Sequence, residues 1–327
     1  MIEFVYIWCK NKYATKLKRG ESSSGEKERS IRMATPAIKG PKRGVSIYSY
    51  SGEWGVTMNL EDCFKDIYDM GATGVEILAN GHIENYPQPT NEWMDNWFRL
   101  CTKYNITPVE YGHWVTSRLY RGIMELNTEE SLRMLKQDII LAHRLGFTVL
   151  RTKLGVIDWI LTPVRNWREI ILGALDLAER YNVCMCPEIH QPTALSSKMV
   201  ADYVEFIDKY QTKNFGLNID FGTFQNVWSK DRPPIPGVPE DGSPCSYPHE
   251  LRPLLPYIHA CHAKFNNMSE DFQETTIPYP EIIKEFVDGG WDGYFLSEYE
   301  GPHKDEPGFV SEQLKRQHIM MKRILGY

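Results

Sequence analysis

From Gly44 onward the chain alternates β-rich runs with amphipathic helical runs, and it does so eight times. GVSIYSY (44–50), TGVEIL (73–78), ITPVEYG (106–112), FTVLRTK (147–153), VCMCPEI (183–189), FGLNID (215–220), YIHACHAKF (257–265) and GYFLSEY (293–299) read as strands, being rich in β-branched and aromatic residues. Residues 59–70, 93–104, 128–145, 167–181, 197–210, 279–289 and 311–325 read as helices, with a short one near 249–255. Asn59 is the expected cap of the first helix and Gly71 its stop; Thr128 is expected to open the third and Gly146 to close it. Strands separated by helices pair in parallel. Eight such units in residues 43–327 therefore predict an α/β fold, a single (β/α)8 TIM barrel. A doubly wound sheet would carry a glycine-rich turn after its first strand, but SYSGEWG is not G-x-G-x-x-G and no Walker A sequence occurs.

Residues 1–42 have a different character. MIEFVYIWCK opens on a short apolar run without a positive leader or a small-residue cleavage site, so it is a poor signal peptide. The polar stretch KNKYATKLKRGESSSGEKERSIR is expected to be a disordered extension. Met33 opens MATPAIKGPKRG, and we expect translation to begin there, with residues 1–32 an upstream extension; the intact mass of natively expressed protein checks this. The net charge of −6 argues against a nucleic-acid binder. No run approaches the roughly 18 apolar residues of a membrane span. The seven cysteines (9, 63, 101, 184, 186, 245 and 261) are odd in number and scattered, which fits reduced thiols in a cytoplasmic protein better than a disulfide framework.

In such a barrel, chemistry gathers at the C-terminal ends of the strands. CPEIHQP places Glu188 and His190 at the end of strand 5, NIDFG places Asp220 at strand 6, HACHAKF places His262 and Lys264 at strand 7, and FLSEYEG places Glu298 and Glu300 at strand 8. Side chains alternate along a strand, so Glu188 and His190 share a face with Cys184 and Cys186, and His262 shares one with Ala260 and Lys264. His259 has the opposite parity and is expected to face the helices. Three carboxylates converging on one imidazole repel one another unless a cation joins them. Oxygen-rich ligation with one histidine favours Mn²⁺ or Mg²⁺, with Co²⁺ a further fit. Cys184 and Cys186 read as core, because C-x-C on one strand is not a zinc loop and no second pair follows. Glu76 and Glu110, earlier in the barrel, read either as substrate contacts or as a structural ion pair.

These segments resemble the xylose isomerase-like sugar isomerase/epimerase superfamily over about residues 43–327. The resemblance implies Glu188, Asp220, His262 and Glu298 as metal ligands, with Mn²⁺ as the metal. Ketose 3-epimerases of this superfamily use the two metal-bound glutamates, here Glu188 and Glu298, as a proton-transfer pair. A histidine two residues after the first of them, His190, instead resembles the catalytic subunit of bacterial C-glycoside deglycosidases, where such a histidine is the base. That resemblance implies a 3-oxo-glucoside substrate, proton abstraction from C2, β-elimination of an aromatic aglycone, and an oligomer with a small β-rich partner subunit. The aromatic ends of strands 1–3 (Tyr48, Tyr50, Trp54, Tyr111, His113 and Trp114) suit a flat aglycone. Lys264 or His113 would orient a sugar hydroxyl or assist the leaving phenol, with Glu300 also on the substrate side. A free-ketose epimerase and an inosose-type dehydratase are the rivals on the same metal site, and a non-catalytic sugar-binding barrel is a third. A DNA-repair endonuclease of this fold would need more metal-binding histidines and a basic groove. The proline-rich loop 221–248 is expected to cover the site or to meet a partner.

Overall fold

The computed structural model describes residues 40–115, 127–154, 162–225 and 242–327. The expected N-terminal extension lies outside these residues except for its last three, as does most of the proline-rich loop. Nine parallel strands lie among the described residues: β1 (Lys42–Ser46), β2 (Gly74–Leu78), β3 (Thr107–Val115), β4 (Val149–Leu154), β5 (Cys184–Cys186), β6 (Glu188–Ile189), β7 (Leu217–Asp220), β8 (Ile258–Phe265) and β9 (Tyr294–Tyr299). The sheet runs β5-β4-β3-β2-β1-β9-β8-β7-β6. β5 and β6 are two pieces of the fifth barrel strand. Pro187 separates them because it has no N–H to donate to the ladder. The lower piece pairs with β4 (Cys184 beside Val149) and the upper with β7 (Glu188 beside Asn218), and a Met185–Phe215 bridge closes the tube. The expected (β/α)8 barrel is therefore present.

Helices α1 (Leu60–Asp69), α2 (Ala79–His82), α3 (Asn91–Tyr104), α4 (Thr128–Arg144), α5 (Trp167–Tyr181), α6 (Lys198–Tyr210), α7 (Tyr279–Asp288) and α8 (Phe309–Leu325) surround it. Asn59 caps α1, accepting from the backbone of Glu61 and Asp62, as its sequence implies. The cap of α4 is Asn127 rather than Thr128: its side chain accepts from Glu130 N, one residue before the expected opening. The apolar stripes of these helices pack on the outer faces of the strands, giving a continuous core that includes Phe64, Trp97, Phe147, Phe215, Phe286 and Phe295. The first strand is shorter than GVSIYSY suggests. Its backbone turns into a 3-10 segment at Ile47–Tyr50, which lifts Tyr48 to the mouth while Tyr50 donates to Asp66 of α1. Below the mouth, the inner lining of Val149, Cys184, Cys186 and Ala260 forms a small separate apolar cluster.

His259 does not face the helices as its parity implies. The β7–β8 register jumps from Leu217↔Ile258 to Asn218↔Ala260, so His259 sits in a bulge. A bulge inserts one unpaired residue and re-aims its side chain. The ring lies where a side chain at Gly216 would stand, and a Cβ there would come within 2.3 Å of His259 Cδ2. It reaches Cys184 on the inner face of β5. No helix among the described residues is long and apolar enough to cross a membrane.

Candidate metal centre

Glu188, Asp220, His262 and Glu298 come from four adjacent barrel strands, and each offers a ligand atom within 4.8 Å of the others. All four are buried. The period of two produces this arrangement: the ladder sets Asp220 beside His262 and Lys264 beside Glu298, so inward positions fall at one height. His262 Nδ1 faces this ring, 3.0 Å from Glu188 Oε1 and 3.5 Å from Glu298 Oε2. Asp220 Oδ1 accepts from Gly222 N at 2.6 Å, while its Oδ2 is buried without a hydrogen-bond partner. An orphaned carboxylate oxygen inside a ring of acids is the observation a cation would satisfy, because burial of an unpaired charge is costly. The donor set of three carboxylates and one imidazole fits a hard or borderline divalent ion such as Mn²⁺ or Mg²⁺.

Beneath the ring lies a second charged layer, in which Glu76 and Glu110 take the ion-pair alternative read from the sequence and Arg151, not singled out there, is the cation. Arg151, 5% exposed, donates from Nε to Glu76 Oε1 and from Nη1 to Glu188 Oε2, both at 2.9 Å. Asn218 Nδ2 donates to Glu110 Oε1 at 2.9 Å. His262 Nε2 lies 3.3 Å from Glu76 Oε2 and 3.7 Å from Glu110 Oε2. The imidazole thus has one nitrogen toward the ring and one toward carboxylates below, the arrangement that fixes tautomer and orientation in metal-binding histidines. Glu76 and Glu110 belong to this ion-pair network rather than to an open surface. Burial and repulsion from Glu76 push Glu110 up to about 7, while Arg151 and His262 overcome burial to hold Glu76 below its ordinary value. Burial also raises Asp220 well above the usual carboxylate range, with Glu298 and Glu188 adding repulsion. His262 is raised well above an ordinary imidazole: burial opposes its charge, but Glu76, Glu298 and Glu188 outweigh it.

His190 lies just past β6, two residues from Glu188 and partly buried, and is not one of the four converging groups. Its Nδ1 is 2.6 Å from the Gln191 carbonyl, which can only accept, so Nδ1 carries the hydrogen and Nε2 the lone pair of the neutral ring. At the mouth, Lys264 is paired with Glu300 and held as an ammonium, since Asp220, Glu300 and Glu298 outweigh its burial. Tyr48 stands beside the same groups: burial, Glu300 and Glu298 push its phenol up to about 12, and Lys304 covers its ring at 4.2 Å.

The aromatic wall expected from strands 1–3 divides. Tyr111 and His113 face away from the ring toward α4, where Tyr111 donates to Asp138 Oδ1 at 2.8 Å and His113 Nδ1 lies 2.6 Å from Asp138 Oδ2. Their parity is opposite to that of Glu110, which is why the strand carries them outward. Trp54 lines a separate cavity of about 510 Å³ with Met58, His82, Ile83 and Trp93. The side chain of Trp114 lies outside the described residues.

Residues 64–320 match the family model described as "Xylose isomerase-like TIM barrel". The chain is 22% identical over 343 residues to the C-glycoside deglycosidase alpha subunit of Arthrobacter globiformis, covering 88% of this chain and 94% of the relative. It is also 22% identical to the 3'-dehydrocarminate deglycosidase alpha subunit of a Microbacterium species, covering 89% and 97%. Among solved structures it resembles the D-psicose 3-epimerase of Clostridium cellulolyticum H10 with D-tagatose, at a TM-score of 0.61 and 15% identity, covering 87% and 99%. That last likeness is one of fold.

Proposed function

Because this chain belongs to the xylose isomerase-like TIM barrel family, we propose that it is a metal-dependent lyase that cleaves 3-oxo-glucosides, C-glycosides included. The carrying observation is His190, with its Nδ1 tied to Gln191 O and its basic Nε2 two residues beyond a ring carboxylate. The names of the two deglycosidase relatives support the substrate class.

Glu188, Asp220, His262 and Glu298 would hold a divalent cation, Mn²⁺ by preference and Mg²⁺ or Co²⁺ by the same donor chemistry. Such an ion supplies Lewis-acid polarisation of the sugar 3-carbonyl, which acidifies the C2 hydrogen. His190 takes that proton at Nε2 as general base, a role suited to an imidazole near neutral pH. The electron pair from the broken C2–H bond becomes a C1–C2 double bond as the bond from C1 to the aglycone breaks. The departing aglycone keeps that bond pair and gains a proton. Lys264 offers its ammonium to a sugar hydroxyl or to the departing group, and Tyr48 keeps its phenol proton as a second donor and gives ring area for sugar or aglycone. His113, turned toward Asp138, holds β3 against α4 instead. Arg151 engages one oxygen of Glu188 and leaves the other toward the ring, so it orients that ligand.

A ketose epimerase would need Glu188 and Glu298 to exchange protons. Glu188 accepts from Arg151, which orients it as a ligand, and His190 adds a base that a two-glutamate exchange does not require. By likeness to relatives named alpha subunits, we propose a small β-rich partner in a cytoplasmic hetero-oligomer. The test is His190→Gln assayed on a 3-oxo-C-glucoside, with metal content measured alongside. The expected result is loss of cleavage by about 10²–10⁴-fold with the metal retained. Full cleavage would remove His190 as base, and turnover of free ketoses alone would favour the epimerase.

A further inference from the structure

The mouth of the barrel carries more ammonium than the proposed chemistry uses. Lys264 is taken by Glu300, whereas Lys304, on the segment that follows β9, forms no ion pair among the described residues. The acids after it in the chain do not serve it: Glu306 lies 2.7 Å from His303 Nδ1, and Asp305 is exposed. The Lys304 ammonium stands instead 4.2 Å from the centre of the Tyr48 ring, and the residue is partly buried. Burial holds it below the ordinary lysine value; Glu300 and Glu298 draw it up and Lys264 repels it. The backbone fixes where this lysine starts. A side chain at Gly52 would stand 2.3 Å from the Lys304 carbonyl carbon and oxygen, so the loop after Tyr50 lies directly against residue 304. Glu53 Oε2 on that loop accepts from Gly308 N at 3.0 Å, and Tyr299 donates to Pro302 O at 2.7 Å. The chain is thus pinned on either side of Lys304, and a side chain so mounted loses less freedom on binding than one on a loose loop.

We propose that Lys304 sets specificity on the aglycone side of the site: its ammonium, held over Tyr48 with no carboxylate of its own, receives an anionic substituent of the aromatic aglycone, a ring carboxylate above all. This rests on the lyase reading and names the substrate class within it. A flat ring that uses Tyr48 as its wall brings a substituent at its edge within reach of the cation on that wall. Lys264 does not fill this role, because Glu300 already meets its charge. Neutral sugar hydroxyls gain little from a second ammonium, whereas an anion gains a charge-assisted hydrogen bond. Such a bond is worth roughly tenfold or more in binding, and exposure to solvent and salt reduces it. A preference of about five- to tenfold for a carboxylate over a neutral isostere is therefore expected. A lysine that only shields the Tyr48 ring would treat charged and neutral aglycones alike.

The test uses the full chain with Mn²⁺ and two matched ligands, the C-glucoside of a hydroxybenzoate and that of the corresponding hydroxybenzamide. Their unoxidised forms lack the 3-carbonyl that elimination needs, so calorimetric titration reads binding alone; kcat/KM is then measured on the 3-oxo forms. The wild type should favour the carboxylate by about five- to tenfold in both measurements, through KM rather than kcat. The preference should shrink in about 1 M salt, where the screening length falls to about 3 Å. Lys304→Met should bring the carboxylate-to-amide ratio near one, and Lys304→Arg should keep it. Taking the ratio within each variant cancels any general loss of packing at Tyr48. No preference in the wild type, a preference indifferent to salt, or the same ratio in Lys304→Met would overturn the proposal. Cleavage of neither 3-oxo form, together with Lys304-dependent binding of the carboxylate, would sink the lyase reading and leave the anion seat standing. Cleavage of both at equal kcat/KM would do the reverse.

Discussion

Arg151 is the residue whose removal most directly tests the charged layer under the ring. Its guanidinium is 5% exposed and makes two 2.9 Å hydrogen bonds, to Glu76 and Glu188, with Glu110 3.9 Å away. Arg151→Met keeps much of the apolar stem and deletes the charge. It leaves the buried Glu76 and Glu188 to share the His262 imidazole where they had a guanidinium as well. Removing one partner of a buried ion pair costs about 3–5 kcal/mol, because the remaining charge stays buried. At roughly 2–4 °C per kcal/mol for larger domains, the metal-free protein should melt about 6–20 °C lower. A divalent cation replaces part of the missing positive charge, so saturating Mn²⁺ should recover some of the loss. At a hundredfold excess over Kd, binding contributes about 2.7 kcal/mol. Arg151→Lys should recover little, since an ammonium cannot reach both carboxylates as a planar fork does. The assay is urea unfolding with chelator and with Mn²⁺. A change below about 1 kcal/mol in chelator, or an Mn²⁺ gain no larger than in the wild type, would refute the view that this guanidinium balances the buried acids.

Mn²⁺ stabilisation should grow with pH. Glu110 at about 7 and the raised Asp220 lie above the ordinary carboxylate value of about 4.3, so their contribution to metal-free stability is present below that value and lost as pH rises through their folded values; thermal shifts with and without Mn²⁺ from pH 5 to 8 check this, and a constant shift would count against it. Lys264→Met should slow cleavage more for aglycones that leave poorly than for acidic phenols, read as the slope of kcat against leaving-group pKa; an unchanged slope would remove Lys264 from the leaving-group side. Gly112→Ala should cost about 1–3 kcal/mol in urea unfolding, because its Cβ would stand 2.7 Å from Leu78 Cδ2 and 3.0 Å from both Arg151 Nη2 and Glu76 Oε1.

The barrel and its ring were readable because two periods carry them. The alternation of strand and helix set the topology, and the two-residue period of each strand put Glu188, Asp220, His262 and Glu298 inside together. What escaped were departures from period. The bulge at His259 reverses one residue without any local signature in YIHACHAKF, since the extra residue is defined by the partner strand. The turn at Ile47–Tyr50 ends β1 early, so only Tyr48 of that run reaches the mouth. Tyr111 and His113 alternate with Glu110 in the sequence and could have been placed outward by the parity rule that worked for the ring. Arg151 in FTVLRTK gave one available signal: it shares parity with Val149, so a charged residue falls on the face that Val149 lines. Its partners, however, sit on three other strands, and pairing across a closed tube is not written in any one segment.

The fit of His259 over Gly216 ties two distant positions into one inherited unit. A methyl group at 216 would meet the ring at 2.3 Å and the Tyr257 carbonyl at 2.9 Å. Homologues that carry a larger residue at the first position must therefore abandon the histidine at the second or straighten the kink that presents it. In an alignment of the lineage those two columns will change hands together, and the branches that keep both will be the ones in which Cys184 has kept its imidazole neighbour.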